Sequence, residues 1–154
     1  MQFALLAEFP DHVKTVSNWL FDEWGDPSQG HSPSRLSQRL HSRISMNSLP
    51  QHILALEDGE PVGFVVIKLF EMEEYPEREH WLGSLFVPLD KRGSGIGSAL
   101  ISEVIRRCDD HGISRLSLQT EELSGGIYRR HGWSDVEEIT SRGDRVLVME
   151  RHLE

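Results

Sequence analysis

The stretch VPLDKRGSGIGSALISEVIRRC, Val87 to Cys108, decides how this chain is read. Gly93, Gly95 and Gly97 occupy alternate positions, directly after Lys91 and Arg92 and directly before an amphipathic run. Each glycine loses more conformational freedom on folding than any other residue. Their concentration therefore needs a cause, and an anion lying against bare backbone is one. A strand that feeds a glycine turn into a helix N-terminus presents unpaired amides, and the helix dipole adds roughly half a positive charge. A tight strand-to-helix connection, with glycines serving packing alone, is the plainer reading.

The elements around this stretch follow from pattern and punctuation. QFALLAEF reads as a strand that stops at Pro10, and Val13, Val16, Leu20 and Trp24 then recur at helical spacing. Gly25, Pro27, Gly30 and Pro33 mark a loop, after which Ser34 is a candidate cap for a helix with Leu36, Leu40 and Ile44 on one face. Two apolar runs joined by Asp58-Gly59 predict a hairpin, because the tight turn needs positive φ. EHWLGSLFV is a strand leading into the glycine loop, and Leu100, Ile101, Val104, Ile105 and Cys108 form one face of the helix that follows, ending near His111-Gly112. SRLSLQT is a short strand, EELSGGIYRRHG a glycine-interrupted helix capped by Gly132, and WSDVEEI with RVLVMERHL a closing hairpin. The order β-α-α-β-β-β-α-β-α-β-β implies an α/β fold of the α+β mixed-sheet kind. Its central sheet is mostly antiparallel, with helices on both faces. No repeat or linker divides the chain, so residues 1–154 read as a single domain.

Composition narrows the function. With 25 acidic against 16 basic residues the formal net charge is -9, the wrong sign for broad nucleic-acid binding. The apolar start is too short to span a bilayer and lacks a basic lead, so no membrane segment or signal peptide is expected. Cys108 is the single cysteine, which fits a reducing, cytoplasmic setting. The eight histidines form no HExxH or Cys/His cluster, and no metal site is expected. The loop is not a P-loop, since Gly97 is followed by Ser98 and Ala99. It is not a GxGxxG dinucleotide turn either, since Gly95-Ile96-Gly97 runs on to Leu100, and no GxSxG elbow is present.

What the residues do spell is R-x-x-G-x-G, from Arg92 to Gly97. This run resembles the signature of the GNAT N-acetyltransferase superfamily, in which it joins a central strand to a helix and binds the pyrophosphate of acetyl-coenzyme A. The wider segment VPLDKRGSGIGSALI is similar to the family's V-x-P-x-x-R-G-x-G-I-G, with the proline one place early at Pro88. A second segment, IYRRHGW from Ile127 to Trp133, resembles the family's Y-x-x-x-G-F, with Trp133 in place of Phe. The element order matches the family's core along nearly the whole chain.

The resemblance implies an enzyme that moves an acetyl group from acetyl-CoA, as co-substrate, to a primary amine of a small molecule or peptide. It implies that backbone amides of Arg92, Gly93, Ser94, Gly95, Ile96, Gly97 and Ser98 bind the pyrophosphate. It further implies that Leu85, Phe86 and Val87 pair with the pantetheine arm and offer an amide to the acetyl carbonyl. Tyr128 corresponds to the tyrosine that serves as general acid beside the sulfur; a phenol with an ordinary pKa near ~10 stays protonated at pH 7. Many relatives carry asparagine seven residues earlier, where this chain has Glu121. An ionised carboxylate cannot donate the hydrogen bond that asparagine gives, and Ser124 is the substitute donor at hand. Glu79 and His80, opening the strand before the glycine loop, are the candidates for general base, with water relay or an already neutral amine as the alternative.

On the acceptor side, the run EMEEYPERE from Glu71 to Glu79 reads either as a solvated loop or as an attractor of cationic amines. Trp19 and Trp24 read as core residues, and Asp26 and His31 as loop groups facing the acceptor. A non-catalytic acyl-CoA-binding module and an acyltransferase using another acyl-CoA are the alternative functions, and Tyr128 in its motif favours an enzyme. RVLVMERHL offers a pairing edge for a homodimer of the kind relatives form through terminal strands.

Overall fold

In the computed structural model, which describes residues 1–153, one seven-stranded sheet runs in the order β1-β2-β3-β4-β5-β7-β6. Its strands are β1 (Gln2–Leu5), β2 (Gln51–Glu57), β3 (Glu60–Leu69), β4 (His80–Phe86), β5 (Arg115–Thr120), β6 (Ser134–Ser141) and β7 (Asp144–His152). The helices are α1 (Val13–Trp24), α2 (Pro33–Arg43), α3 (Ile96–Asp110) and α4 (Gly126–Arg130). This is the order expected from the sequence. Among the described residues no helix is long and apolar enough to cross a membrane.

Local chemistry explains the turns. Asp58 and Gly59 both take positive φ, 51° and 81°, and close the β2–β3 hairpin. Arg142 and Gly143 do the same between β6 and β7, at 51° and 85°. Two details differ from the sequence reading. β1 ends at Leu5, and short 3-10 turns carry the chain on to α1. Ser32, not Ser34, caps α2: its hydroxyl accepts the Arg35 amide at 3.1 Å, and Pro33, which needs no amide partner, takes the first helical position.

Each face of the sheet carries its own core. On one face α3 and α4 cover Ile53, Val65, Ile67, Leu82, Leu116, Leu118, Leu147 and Met149. On the other, α1 and α2 cover Leu54, Leu56, Phe64 and Val66. Beyond them on that second face, the segment between β3 and β4 covers Trp81, Val146 and Val148 with Met72 and Tyr75. The acidic run is therefore a packed cover more than a solvated loop. Met72 and Tyr75 are buried, the Tyr75 hydroxyl donates to Glu137, and Arg78 reaches Glu150 at 2.9 Å and Ser117 at 3.1 Å. Glu73, Glu74, Glu77 and Glu79 face water.

One contact sets where the glycine loop stands. A Cβ built on Gly63 of β3 would lie 2.8 Å from Leu100 Cδ1 and 2.9 Å from Ile96 Cγ2. The first turn of α3 therefore rests directly on bare β3 backbone. We predict that Gly63→Ala, by overfilling this contact, costs about 1–3 kcal/mol in chemical denaturation. Unchanged stability would mean that α3 is seated by other contacts.

Candidate active site

Strands β4 and β5 are the sheet's parallel neighbours, and they share one registered pair, Trp81 with Ser117. Beyond it the two strands part, so the β5-facing edge of β4 runs unpaired toward the glycine loop. On the other edge, β4 bulges against β3. Phe64 pairs with Phe86 and Val66 with Gly83, so Ser84 and Leu85 both stand opposite Val65. Ser84 takes φ of 53°, an uncommon angle for a residue with a side chain. A bulge leaves its extra residue out of the ladder and re-aims the strand. The result is a wedge with free peptide groups along one wall.

The glycine loop closes the wide end of that wedge. Gly93 and Gly95 take φ of 82° and 88°, in the left-handed region, and Gly95 forms the N-cap of α3. The Arg92 Nε donates to Val87 O at 2.8 Å, and its guanidinium lies 5.7 Å from the Phe86 ring centroid, tying the loop back to the end of β4. Ser94 Oγ donates to Lys91 O at 2.7 Å. The first loop-to-helix backbone bond runs from the Ala99 amide to Gly95 O. Among the described residues, the amides from Gly93 through Ser98 have no protein acceptor. Six successive free amides at a helix N-terminus form an anion cradle.

Gly97 is different. Its φ is not in the left-handed region, and a Cβ there would meet Ile127 Cδ1 at an ordinary 3.5 Å. Neither backbone angle nor internal packing asks for glycine.

The same contact shows that α4 abuts the start of α3. His131 Nε2 lies 3.1 Å from Ser98 Oγ, a second link between them. Tyr128, like Leu85, Val87 and Ile127, packs against the core on this face, with its ring 6.3 Å from that of Trp133 in an edge-on arrangement. Burial raises the Tyr128 pKa, so the phenol keeps its proton at neutral pH. The structure thus gathers Leu85, Phe86, Val87, Tyr128 and the loop Arg92 to Ser98 into one region. His131 joins them without having been singled out from sequence, although it lies within the quoted IYRRHGW segment.

Other expected residues stand apart. Ser124 Oγ donates to Glu122 Oε1 at 2.8 Å in the exposed turn before α4, and Glu121 is exposed beside it. Glu79 and His80 lie at the opposite end of β4 from the loop, His80 pairing with Leu69. They line a polar cavity of about 430 Å³ with Arg78, Ser114, Ser117 and His152. Trp24 is 51% exposed and not a core residue; with Trp19 it packs against Phe86, at centroid distances of 6.4 Å and 5.3 Å. His31 Nδ1 accepts the Asp26 amide at 2.8 Å, so these two organise their own loop.

The two kinds of glycine in the loop separate by experiment. Gly95→Ala, forced into a left-handed angle, should cost about 1–2 kcal/mol of stability. Gly97→Ala, in helical geometry, should leave the denaturation midpoint unchanged or slightly raised. A destabilised Gly97→Ala protein would mean that packing already requires that glycine.

No curated protein matches the chain. Among solved structures it resembles an aminoglycoside 6'-N-acetyltransferase complexed with coenzyme A, at TM-score 0.74 and 15% identity, over 99% of this chain and 97% of that one. It also resembles a ribosomal-protein-alanine N-acetyltransferase from Brucella melitensis, at TM-score 0.77 and 18% identity, over 99% and 100% of the two chains. A third likeness is to Ard1 from Thermoplasma volcanium, at TM-score 0.74 and 16% identity, over 99% and 97%. At these identities the likenesses establish the fold. The acetyltransferase (GNAT) family model matches residues 13–133, which takes in the wedge, the glycine loop and Tyr128, and the chain belongs to that family.

Proposed function

We propose that this protein is an acetyl-CoA-dependent N-acetyltransferase acting on a primary amine of a small molecule or peptide. The observation that carries the reading is Gly97, a glycine that the chain's own geometry does not require, set among free amides at the N-terminus of α3. A pyrophosphate seated on those amides supplies the missing reason, since a Cβ would stand against it.

In this reading the amides of Gly93 to Ser98 hold the pyrophosphate, with the α3 dipole adding to the attraction. Arg92 contributes by fixing the loop to Val87. The unpaired edge of β4 at Leu85, Phe86 and Val87 takes the amide-bearing pantetheine arm in sheet fashion. Acetyl-CoA brings an activated acyl group, and a backbone N–H of the Leu85–Val87 edge polarises its carbonyl. Tyr128 holds a proton for the departing thiolate; its raised pKa keeps the proton available at neutral pH. A non-catalytic acyl-CoA binder would share the loop but have no use for a half-buried phenol beside the wedge. Ser124, as a partner for the cofactor arm, would first have to release Glu122.

Calorimetric titration separates these readings. Acetyl-CoA and CoA should bind and NADH should not, and Gly97→Ala should weaken acetyl-CoA binding at least tenfold while remaining folded. Absence of CoA binding to the folded protein would overturn the donor assignment. Tyr128→Phe should lower kcat by about 10²-fold or more with little change in acetyl-CoA affinity, the range expected for loss of a general acid. An unchanged kcat would remove Tyr128 from the chemistry.

A further inference from the structure

On the α3 and α4 face, where the proposed donor site lies, Leu85, Val87, Ile127 and Tyr128 pack against the core. With the donor on that face, the opposite face, between α1–α2 and the segment joining β3 to β4, is left for an acceptor. The floor there is Gly83, one residue before the Ser84 bulge. Val66 pairs with Gly83 and with His52, so the three share a row across that face.

A polar bridge lies over this floor. Glu71 Oε2 is 3.4 Å from Lys68 Nζ, and Glu71 Oε1 receives Gln119 Nε2 at 3.4 Å. Lys68 belongs to β3 and Gln119 to β5, the strands on either side of β4, so the carboxylate hangs above β4 itself. The Lys68 chain crosses Gly83 closely: a Cβ at that position would meet Lys68 Cδ and Cε at 2.8 Å and Nζ at 3.1 Å. An alkyl chain ending in an ammonium thus rests on bare β4 backbone with its charge on Glu71.

This contact is loose. Glu103 holds Arg107 at 2.6 Å and Arg106 at 2.7 Å, well inside hydrogen-bond range, whereas the Glu71 contacts are at its outer edge. Both partners stay reachable, with side-chain exposures of 28% for Lys68 and 25% for Glu71. His52, in the adjoining row, does not compete as a cation. Burial, with the charges of Lys68 and Arg43, pushes its pKa down to about 4. Its Nδ1 is buried without a hydrogen-bond partner.

We infer that Glu71 is the seat of the acceptor's ammonium group and that Lys68 occupies this seat until an acceptor displaces it. The inference rests on the amine-acyltransferase reading and names its substrate class. The acceptor is a primary alkylammonium on a flexible methylene chain, lysine-like in shape, whose methylenes take over the place of Lys68 on Gly83. The outward glutamates of the same segment, Glu73, Glu74 and Glu77, favour cations near the entrance.

The test is calorimetric titration of the full chain with 1,5-diaminopentane, with and without CoA, and with pentane-1,5-diol as the uncharged counterpart. The diamine should bind and the diol should not. Glu71→Gln should weaken diamine binding at least tenfold, and Glu71→Asp, which keeps the charge, should weaken it less. Lys68→Met, which removes the resident ammonium but keeps its bulk, should tighten diamine binding about threefold or more. Equal binding of diamine and diol, or wild-type affinity in Glu71→Gln, overturns the seat. Unchanged or weaker binding in Lys68→Met overturns the displacement. Diamine binding without CoA binding would leave the seat standing and count against the acyl-donor assignment; CoA binding without diamine binding would do the reverse.

Discussion

The site depends on the parting of two strands after a single registered pair, Trp81 with Ser117. A parallel pair kept in register to its end would satisfy the backbone of β4 within the sheet and leave nothing for a ligand to bind. Two features border the divergence. The bulge at Ser84 and Leu85 turns β4 away, accepting an uncommon φ of 53° at Ser84. Below the divergence, Trp81 is locked by its indole bond to Arg78 O at 2.8 Å, and Arg78 is in turn fixed to Glu150. Backbone strain of this kind persists where surrounding structure over-determines it. Here the β3–β4 segment, packed over Trp81, is that surrounding structure.

The wedge and the loop also settle an electrostatic problem. A chain with a net charge of -9 repels a polyanion at long range. At physiological ionic strength the screening length is about 8 Å, so distant carboxylates matter little at the loop. What remains is local: a run of amides without protein acceptors at a helix start, close to Arg92 and Lys91. In the proposed function anion binding there rests on oriented peptide dipoles, which leaves the acidic surface free for a different task. On the other face that surface lies next to Glu71, where a cation is the matching charge.

What could be read from sequence was local. Asp58-Gly59 announced its hairpin because the turn needs two positive φ angles, and the repeat of Leu100, Ile101, Val104 and Cys108 marked the buried face of α3. The R-x-x-G-x-G run located the loop because the left-handed angles of Gly93 and Gly95 are set within the run itself. The bulge at Ser84 was invisible, since serine carries no turn signal and the distortion comes from register against β3. The reading of Trp24 as core failed because helical spacing does not say where a helix overhangs the sheet; its ring stands half in water against Phe86. Glu71 was quoted as one of five glutamates in a run. Lys68 is its neighbour three residues back, but nothing local shows that Gln119 also meets it, which happens only when β3 and β5 flank β4.

The two glycines that line the wedge, Gly97 and Gly83, argue in parallel. Neither adopts a left-handed angle, so neither is explained by backbone freedom. At Gly97 the chain itself leaves ordinary room for a side chain, and the requirement comes from outside the fold. At Gly83 the space a side chain would need is already taken by the Lys68 methylenes. In the proposed function the first glycine keeps a place for the pyrophosphate, whereas the second keeps a place that one of the chain's own side chains fills. Placed on opposite faces of the β4 end of the sheet, they fit the proposed reaction, in which an anionic donor and a cationic acceptor enter from different sides. The charges that bind each partner are then kept apart by the sheet. In the proposed reaction Glu71 receives the acceptor as an ammonium, its proton passes to water before the amine attacks, and the protonated Tyr128 supplies a proton to the departing thiolate on the donor face.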